Sequence, residues 1–234
     1  MKYKAVIFDV SDTLIEYHPN YAKIYGDRIR SLGIDVTEEM AKEISKAVYW
    51  AIGEQSQREI EGAPCATAEE SALIKNQAAL SCVRYPDEMK STYLHMMSLM
   101  PKIKQEMRVI PGVLETLEAL KKKYTLGIVS NHHAWLSDRL KALQLDAYFQ
   151  SIIISEVVGI EKPDVRIMEI ALQELNIAPQ HCLYVGDHPH DVLCAKKAGM
   201  DCAWIVGDWD KSMQIETHSA DYHISNVAEL TTIL

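Results

Sequence analysis

Residues 5–14 read AVIFDVSDTL, an apolar run that ends at an aspartate and continues into a polar loop. Four consecutive apolar residues without polar alternation fit a strand buried on both faces. Asp9 then stands at the carboxyl end of that strand, where open parallel sheets bind their ligands. Taken alone, an acid there is equally well a turn or cap residue.

The partner strands come much later in the chain. Residues 125–130 (TLGIVS), 151–155 (SIIIS), 181–185 (HCLYV) and 201–206 (DCAWIV) are apolar runs of the same kind. Helical periodicity fills the gaps over 113–123, 134–143, 165–175 and 191–198. Gly199 after Lys196 and Lys197 is a helix stop. Residues 222–225 and 226–234 add a short strand and a closing helix. Strands without alternation, separated by helices, predict an α/β fold with a parallel sheet covered on both faces.

Residues 15–108 have a different texture. Stretches 21–32, 37–53, 67–83 and 87–100 are helix-like, with breaks at Gly33, at Gly62-Ala63-Pro64 and at Pro86. No strand stands out among them. The expectation is therefore a core made of residues 1–14 and 109–234, with an all-helical insert at 15–108.

Composition narrows the function classes. The 234 residues carry 24 basic and 33 acidic side chains, a net charge of −9, which disfavours nucleic acid and acidic membranes as partners. An anionic substrate then needs a local cation. The five cysteines (Cys65, Cys82, Cys182, Cys194, Cys202) form no CxxC pair, so buried thiols in a reducing cytosol are the plain reading. No stretch is apolar enough to span a bilayer and the start has no signal-peptide pattern, so a cytoplasmic protein is expected.

Beyond Asp9, three stretches fall at or just past expected strand ends: Ser130-Asn131, Glu161-Lys162-Pro163-Asp164 and Gly186-Asp187. Ser130 has a capping alternative, Lys162 a solvated-loop alternative, and the Asp187/Asp191 spacing also suits a helix start. Their shared location in this order carries more weight than any one of them.

In that order the stretches resemble the motifs of the haloacid dehalogenase-like superfamily, in the branch with a helical cap inserted after the first strand. FDVSDTL (8–14) is similar to the family's DxDxT loop, GIVSN (127–131) to its Ser/Thr motif, GIEKPD (159–164) to its Lys motif and GDHPHDVLCAKKAG (186–199) to its GDxxxD signature. The resemblance implies a Rossmann-like parallel-sheet core with an all-helical cap. It implies Asp9 as a nucleophile forming an aspartyl-phosphate, with Mg²⁺ held by Asp9, the carbonyl of Ser11, Asp187 and, through water, Asp191. Ser130, the amide of Asn131 and the Ser11 loop would bind the phosphoryl group at a helix N-terminus, and Lys162 would stabilise its charge. The substrate implied is a small phosphorylated metabolite.

Ser11 departs from that pattern, because the family's phosphatases place a second aspartate there to carry a proton. Loss of a general acid–base costs on the order of 10²–10⁴ in rate. A metal-dependent phosphatase with weakened acid catalysis is therefore expected. Two alternatives stand beside it: a carbon–halogen hydrolase, which needs no leaving-group proton, and a catalytically attenuated phospho-ligand-binding protein. Asp12 is expected to point away if its loop is extended. His132, His133, His188 and His190 lie near the strand ends as exposed loop residues or as stand-in proton carriers. Tyr17, His18, Tyr21, Tyr25, Arg28, Trp50 and Arg58 are candidates to face the site, with packing as the plainer reading. Met96, Met97, Met100 and Met107 are expected to pack.

Overall fold

A computed structural model describes residues 2–60, 63–64, 66–206 and 220–234; Gly62 and Cys65 lie outside the described residues. The chain divides into two compact units, Met1–Tyr17 with Met107–Leu234, and His18–Glu106.

The first unit is built on a six-stranded sheet. Its strands are β1 (Ala5–Phe8), β4 (Thr125–Ser130), β5 (Ser151–Ile154), β6 (Cys182–Gly186), β7 (Asp201–Ile205) and β8 (Tyr222–Ile224). The order is β5-β4-β1-β6-β7-β8, and every pairing is parallel. β1 therefore lies between β4 and β6, with Phe8 level with Ile128 on one side and Val185 on the other. Asp9 continues this ladder by donating its N–H to the carbonyl of Val185 at 2.8 Å.

Strand periodicity splits the apolar residues between two cores. Val6, Phe8, Leu126, Ile128, Leu183 and Val185 face one side, against Val113, Leu117 and Leu120 of α5 (Val113–Leu120) and Leu136 and Leu140 of α6 (Leu136–Ala142). Ala5, Ile7, Val129, Cys182 and Tyr184 face the other. There they meet Ile167, Met168 and Ala171 of α8 (Arg166–Leu175) and Val192 and Ala195 of α9 (Pro189–Lys197). Each fully buried aliphatic side chain contributes roughly 1.5–3 kcal/mol, which holds helices on both faces. Between β5 and α8 a single turn, α7 (Ser155–Val158), ends at Gly159, whose φ of +68° suits glycine. The C-terminal α10 (Leu230–Ile233) buries Leu230 in the first core.

Two further strands correct the expectation of a strand-free segment over 15–108. β2 (Ile15–His18) and β3 (Glu106–Val109) pair as a two-stranded sheet. Each is four residues long and half polar, too short for alternation to register as a strand. The limits of the two units fall within these strands.

The second unit holds α1 (Tyr21–Arg30), α2 (Glu38–Ile60), α3 (Ala68–Ser81) and α4 (Lys90–Leu99). Asn20 caps α1 and a Thr67/Glu70 capping box starts α3. Ile24, Tyr25, Ile29, Ile44, Val48, Leu80 and Met97 form its core. Tyr21 packs on Tyr25 and Tyr49, and the Arg28 guanidinium lies over Tyr25 and donates to the Pro101 carbonyl. Met97 is fully buried while Met96 is exposed. Among the described residues, no helix is long and apolar enough to cross a membrane, and Cys82, Cys182, Cys194 and Cys202 are free.

Candidate active site

The parallel sheet brings the ends of β1, β4 and β6 side by side, and this adjacency assembles the site. Asp9 follows β1, Ser130 ends β4, and Asp187 follows β6. Asp191 stands in the first turn of α9. All four are buried, as is Lys162 in the loop between α7 and α8.

Lys162 is the hub. Its Nζ donates to Asp9 Oδ1 at 2.7 Å, to Asp191 Oδ1 at 2.6 Å and to the Tyr184 hydroxyl at 2.9 Å. The Tyr184 hydroxyl in turn donates to the carbonyl of Val129 at 2.8 Å. All three ammonium protons are thus used, and the amine cannot swing away. Burial alone would lower the Lys162 pKa, but the charges of Asp191 and Asp9 outweigh it and raise the group. The lysine is a fixed cation.

Asn131 sets the position of that lysine. Its side-chain Oδ1 accepts from the Lys162 N–H at 2.8 Å and its Nδ2 donates to the Lys162 carbonyl at 2.9 Å. The sequence had assigned Asn131 through its backbone amide only. The helix N-terminus expected after Ser130 is also absent, since α6 starts at Leu136 and residues 131–135 form a loop. The His132 N–H in that loop donates to Ser155 Oγ at 3.0 Å.

Asp191 closes a capping box at the start of α9, its Oδ2 accepting from the His188 N–H at 2.9 Å. A Cβ on Gly186 would sit 2.3 Å from that Oδ2 and 2.8 Å from the Asp191 Cβ, so only glycine admits the carboxylate here. Asp187 is held from behind by Trp204, whose Nε1 donates to its carbonyl at 2.8 Å. In front, Thr13 Oγ1 donates to Asp187 Oδ1 at 3.3 Å. Sequence reasoning missed Thr13, Tyr184 and Trp204. A lone tyrosine and a lone tryptophan inside otherwise aliphatic strands are the signal that was there.

Carboxylate oxygens of Asp9, Asp187 and Asp191 all lie within 4.8 Å of one another. Lys162 balances one of these three buried charges. The excess has a direct consequence: burial, then the charges of Asp12, Asp9 and Asp191, push the Asp187 carboxyl well above its ordinary value. Burial likewise raises Asp9, against the lowering pull of Lys162. A buried cluster of hard oxygen donors with surplus negative charge fits a small divalent cation such as Mg²⁺.

The loop bearing Ser11 is not extended. Asp12 has φ +54° and donates its N–H to the Ile15 carbonyl at 2.7 Å, while Ser11 bridges to Ile15. The premise of an extended loop thus fails at Asp12, and the charge of Asp12 is the first, after burial, that raises Asp187. Among the histidines His133 is exposed, whereas His132, His188 and His190 are half-buried. His188 is held neutral by burial, its pKa pushed down to about 3, and its Nδ1 accepts from the His190 N–H.

A buried carboxylate, a fixed lysine and an acid cluster able to hold a metal ion thus meet at the strand ends of a parallel sheet, an arrangement suited to hydrolytic chemistry. Comparison with known proteins agrees: residues 6–205 match the family model described as haloacid dehalogenase-like hydrolase, and the chain belongs to that family. It is 28% identical over 244 residues to a glyceraldehyde 3-phosphate phosphatase of Methanothermobacter thermautotrophicus, covering 99% of each chain. It is 31% identical over 134 residues to the enzyme of that name from Pyrococcus furiosus, a match spanning 55% of each chain. A crystal structure of a HAD phosphatase from Thermococcus onnurineus superposes with a TM-score of 0.58 at 26% identity, over 98% of this chain and 97% of that one.

Proposed function

We propose that the protein is a Mg²⁺-dependent phosphatase of a small phosphorylated metabolite, working through an aspartyl-phosphate on Asp9. The observation that carries this reading is the buried cluster of Asp9, Asp187 and Asp191 around a single lysine. A carbon–halogen hydrolase needs the nucleophile and the lysine but has no use for the additional acid pair. The relatives named as phosphatases favour the same choice.

In this reading Asp9 Oδ attacks phosphorus, and the ester oxygen departs with its electron pair. Lys162 keeps Asp9 oriented, opposes the rise that burial causes in its pKa and offsets charge on the adduct. Ser130, the loop amides beyond it and the Ser11 loop bind the phosphoryl oxygens. Asp9, Asp187 and the Ser11 carbonyl would hold the Mg²⁺, with Asp191 steadying its water. The ion would screen the approach of two anions and polarise the phosphoryl group. The helical unit is read as a cap that contacts the remainder of the substrate.

Ser11 offers no carboxyl proton to the leaving group. Aryl and acyl phosphates, whose leaving groups depart unprotonated, are expected to turn over faster than alkyl phosphates by on the order of 10²–10⁴. Ser11→Asp is expected to narrow that gap by raising the alkyl rate. Steady-state rates over a series of leaving groups, with Mg²⁺ and with EDTA, test both statements. A flat series, or equal rates in EDTA, counts against the reading.

The raised carboxylates also fix the sign of a pH effect. Between the ordinary carboxylate pKa and the raised values, the folded chain holds more protons than the unfolded one, so metal-free stability falls as pH rises. A divalent ion removes that penalty by taking the protons' place. The gain in melting temperature on adding Mg²⁺ is expected to be larger at about pH 7.5 than at about pH 5. An equal gain at both would place the ion elsewhere.

A further inference from the structure

The phosphatase reading leaves one role without a residue: an acceptor for the proton of the water that releases phosphate from Asp9. Two side chains not used so far meet beside that site, one just past the end of β4 and the other in β2. The Tyr17 hydroxyl, in β2, lies 2.8 Å from His132 Nε2. His132 follows Ser130-Asn131, and its backbone is pinned by Ser155, whose Oγ accepts from its N–H at 3.0 Å and donates to its carbonyl at 3.3 Å. Its ring stands edge-on to Trp135 at 4.6 Å between centroids. Nδ1 lies 3.3 Å from the His133 carbonyl. With the proton on Nδ1 donated there, Nε2 accepts the Tyr17 O–H; these partners assign the tautomer.

The ring contacts Tyr17 from β2 and His133 and Trp135 from its own loop, Ser155 of α7 holds its backbone, and Asp9 and Glu156 act on it through their charges. Burial lowers its pKa from the ordinary histidine value, and the nearby His133 acts in the same direction. The hydrogen bond to the His133 carbonyl and the charges of Asp9 and Glu156 oppose the fall without cancelling it. At neutral pH the ring is a free base rather than an acid.

We propose that the Tyr17–His132 pair accepts the proton of the hydrolytic water, taking over for the second half-reaction the duty that Ser11 cannot perform. The inference rests on the phosphatase reading. The water oxygen bonds to phosphorus as the bond from phosphorus to Asp9 Oδ breaks. The water's proton passes to the Tyr17 oxygen while the tyrosine's own proton passes to His132 Nε2. The products are orthophosphate, a free Asp9 carboxylate and an imidazolium that returns its proton to solvent. A neutral imidazole gives nothing to the leaving group in the first half-reaction, so the preference for activated esters persists beside this role.

Pre-steady-state hydrolysis of p-nitrophenyl phosphate with Mg²⁺ tests the pair. For His132→Gln and Tyr17→Phe, the expected result is a near-stoichiometric burst of nitrophenol followed by turnover slowed by roughly 10²–10³-fold. The kcat profile of the unaltered protein is expected to fall on the acid side with the ring's titration, and this limb is expected to vanish in His132→Gln. Ser11→Asp in the His132→Gln background is expected to restore the slow step, which a merely structural loss would not permit. Variants that keep both the rate within about twofold and the acid limb overturn the inference. Tyr17→Phe, which keeps the ring, carries the test alone if His132→Gln does not fold. Nitrophenol release that survives Asp9→Asn overturns the phosphatase reading and the inference with it, whereas an Asp9-dependent burst with an unaltered slow step overturns the inference only.

Discussion

Asp9→Asn is expected to lower turnover of every phosphate ester by on the order of 10⁴–10⁶-fold, the scale on which loss of a nucleophile is felt. The amide matches the carboxylate in shape and still accepts the Lys162 Nζ through its oxygen, so the hub at 2.7 Å survives. What disappears is the negatively charged oxygen that attacks phosphorus. The fold is expected to tolerate the change well. Asp9 is one of three crowded buried carboxylates, and burial already raises its pKa, so the neutral amide relieves charge repulsion. Thermal melting and turnover measured on the same preparation check both halves. A variant that melts as before and retains more than about a hundredth of the activity would assign the nucleophile to another residue.

Lys162→Met is expected to do the reverse and strike stability first. The methionine fills much the same volume but leaves Asp9 and Asp191 facing each other without a cation. Both carboxylates are buried, so solvent does not screen the loss. Removing one partner of a buried ion pair costs roughly 3–5 kcal/mol. For a chain of this size that is a fall in melting temperature of roughly 6–20 °C. The Tyr184 hydroxyl also loses a donor, which adds to the cost. Adding Asp191→Asn to Lys162→Met is expected to recover much of the lost stability without recovering activity, because it removes a stranded charge but does not replace the cation. If the single variant melts within a degree or two of the unaltered protein, Lys162 is not the charge that holds the acid cluster together.

The buried strands were legible because both faces of a central parallel strand need apolar side chains, and the runs at 125–130, 151–155 and 201–206 have few residues of any other kind. The two strands at the junction of the units were not legible, since Ile15–His18 and Glu106–Val109 are four residues each and depend on one another for hydrogen bonds. Helix ends were read to within a few residues where capping chemistry is explicit, as at Thr67 with Glu70 and at Gly199. The long α2 ran past its expected end at Gly53 to Ile60, because tertiary and local helix propensities carried it through an isolated glycine. The single-turn α7 has too few residues to leave a periodicity at all.

The short motifs at residues 9, 130, 162 and 187 pointed to the family without coordinates, since three of them stand at or directly after the end of a buried strand and the fourth in the loop beyond one. Other features were decided by contacts between residues far apart in the chain. Asn131 grips the backbone of Lys162, Tyr184 tethers the ammonium to Val129, and Gly186 leaves room for one carboxylate alone. The turn of the loop at Asp12 brought a fourth acid to bear on Asp187, against the expectation drawn from an extended backbone. Tyr17 and His132 meet across 115 positions of sequence, and neither carries a local mark of the other. What the sequence by itself determined were the strands of the parallel sheet and the polar side chains placed at or beyond their ends, because hydrophobic period and strand-end position are properties of neighbours along the chain. Which protons and charges those side chains hold was decided only by the tertiary structure, because burial and Coulomb energy depend on distance through space.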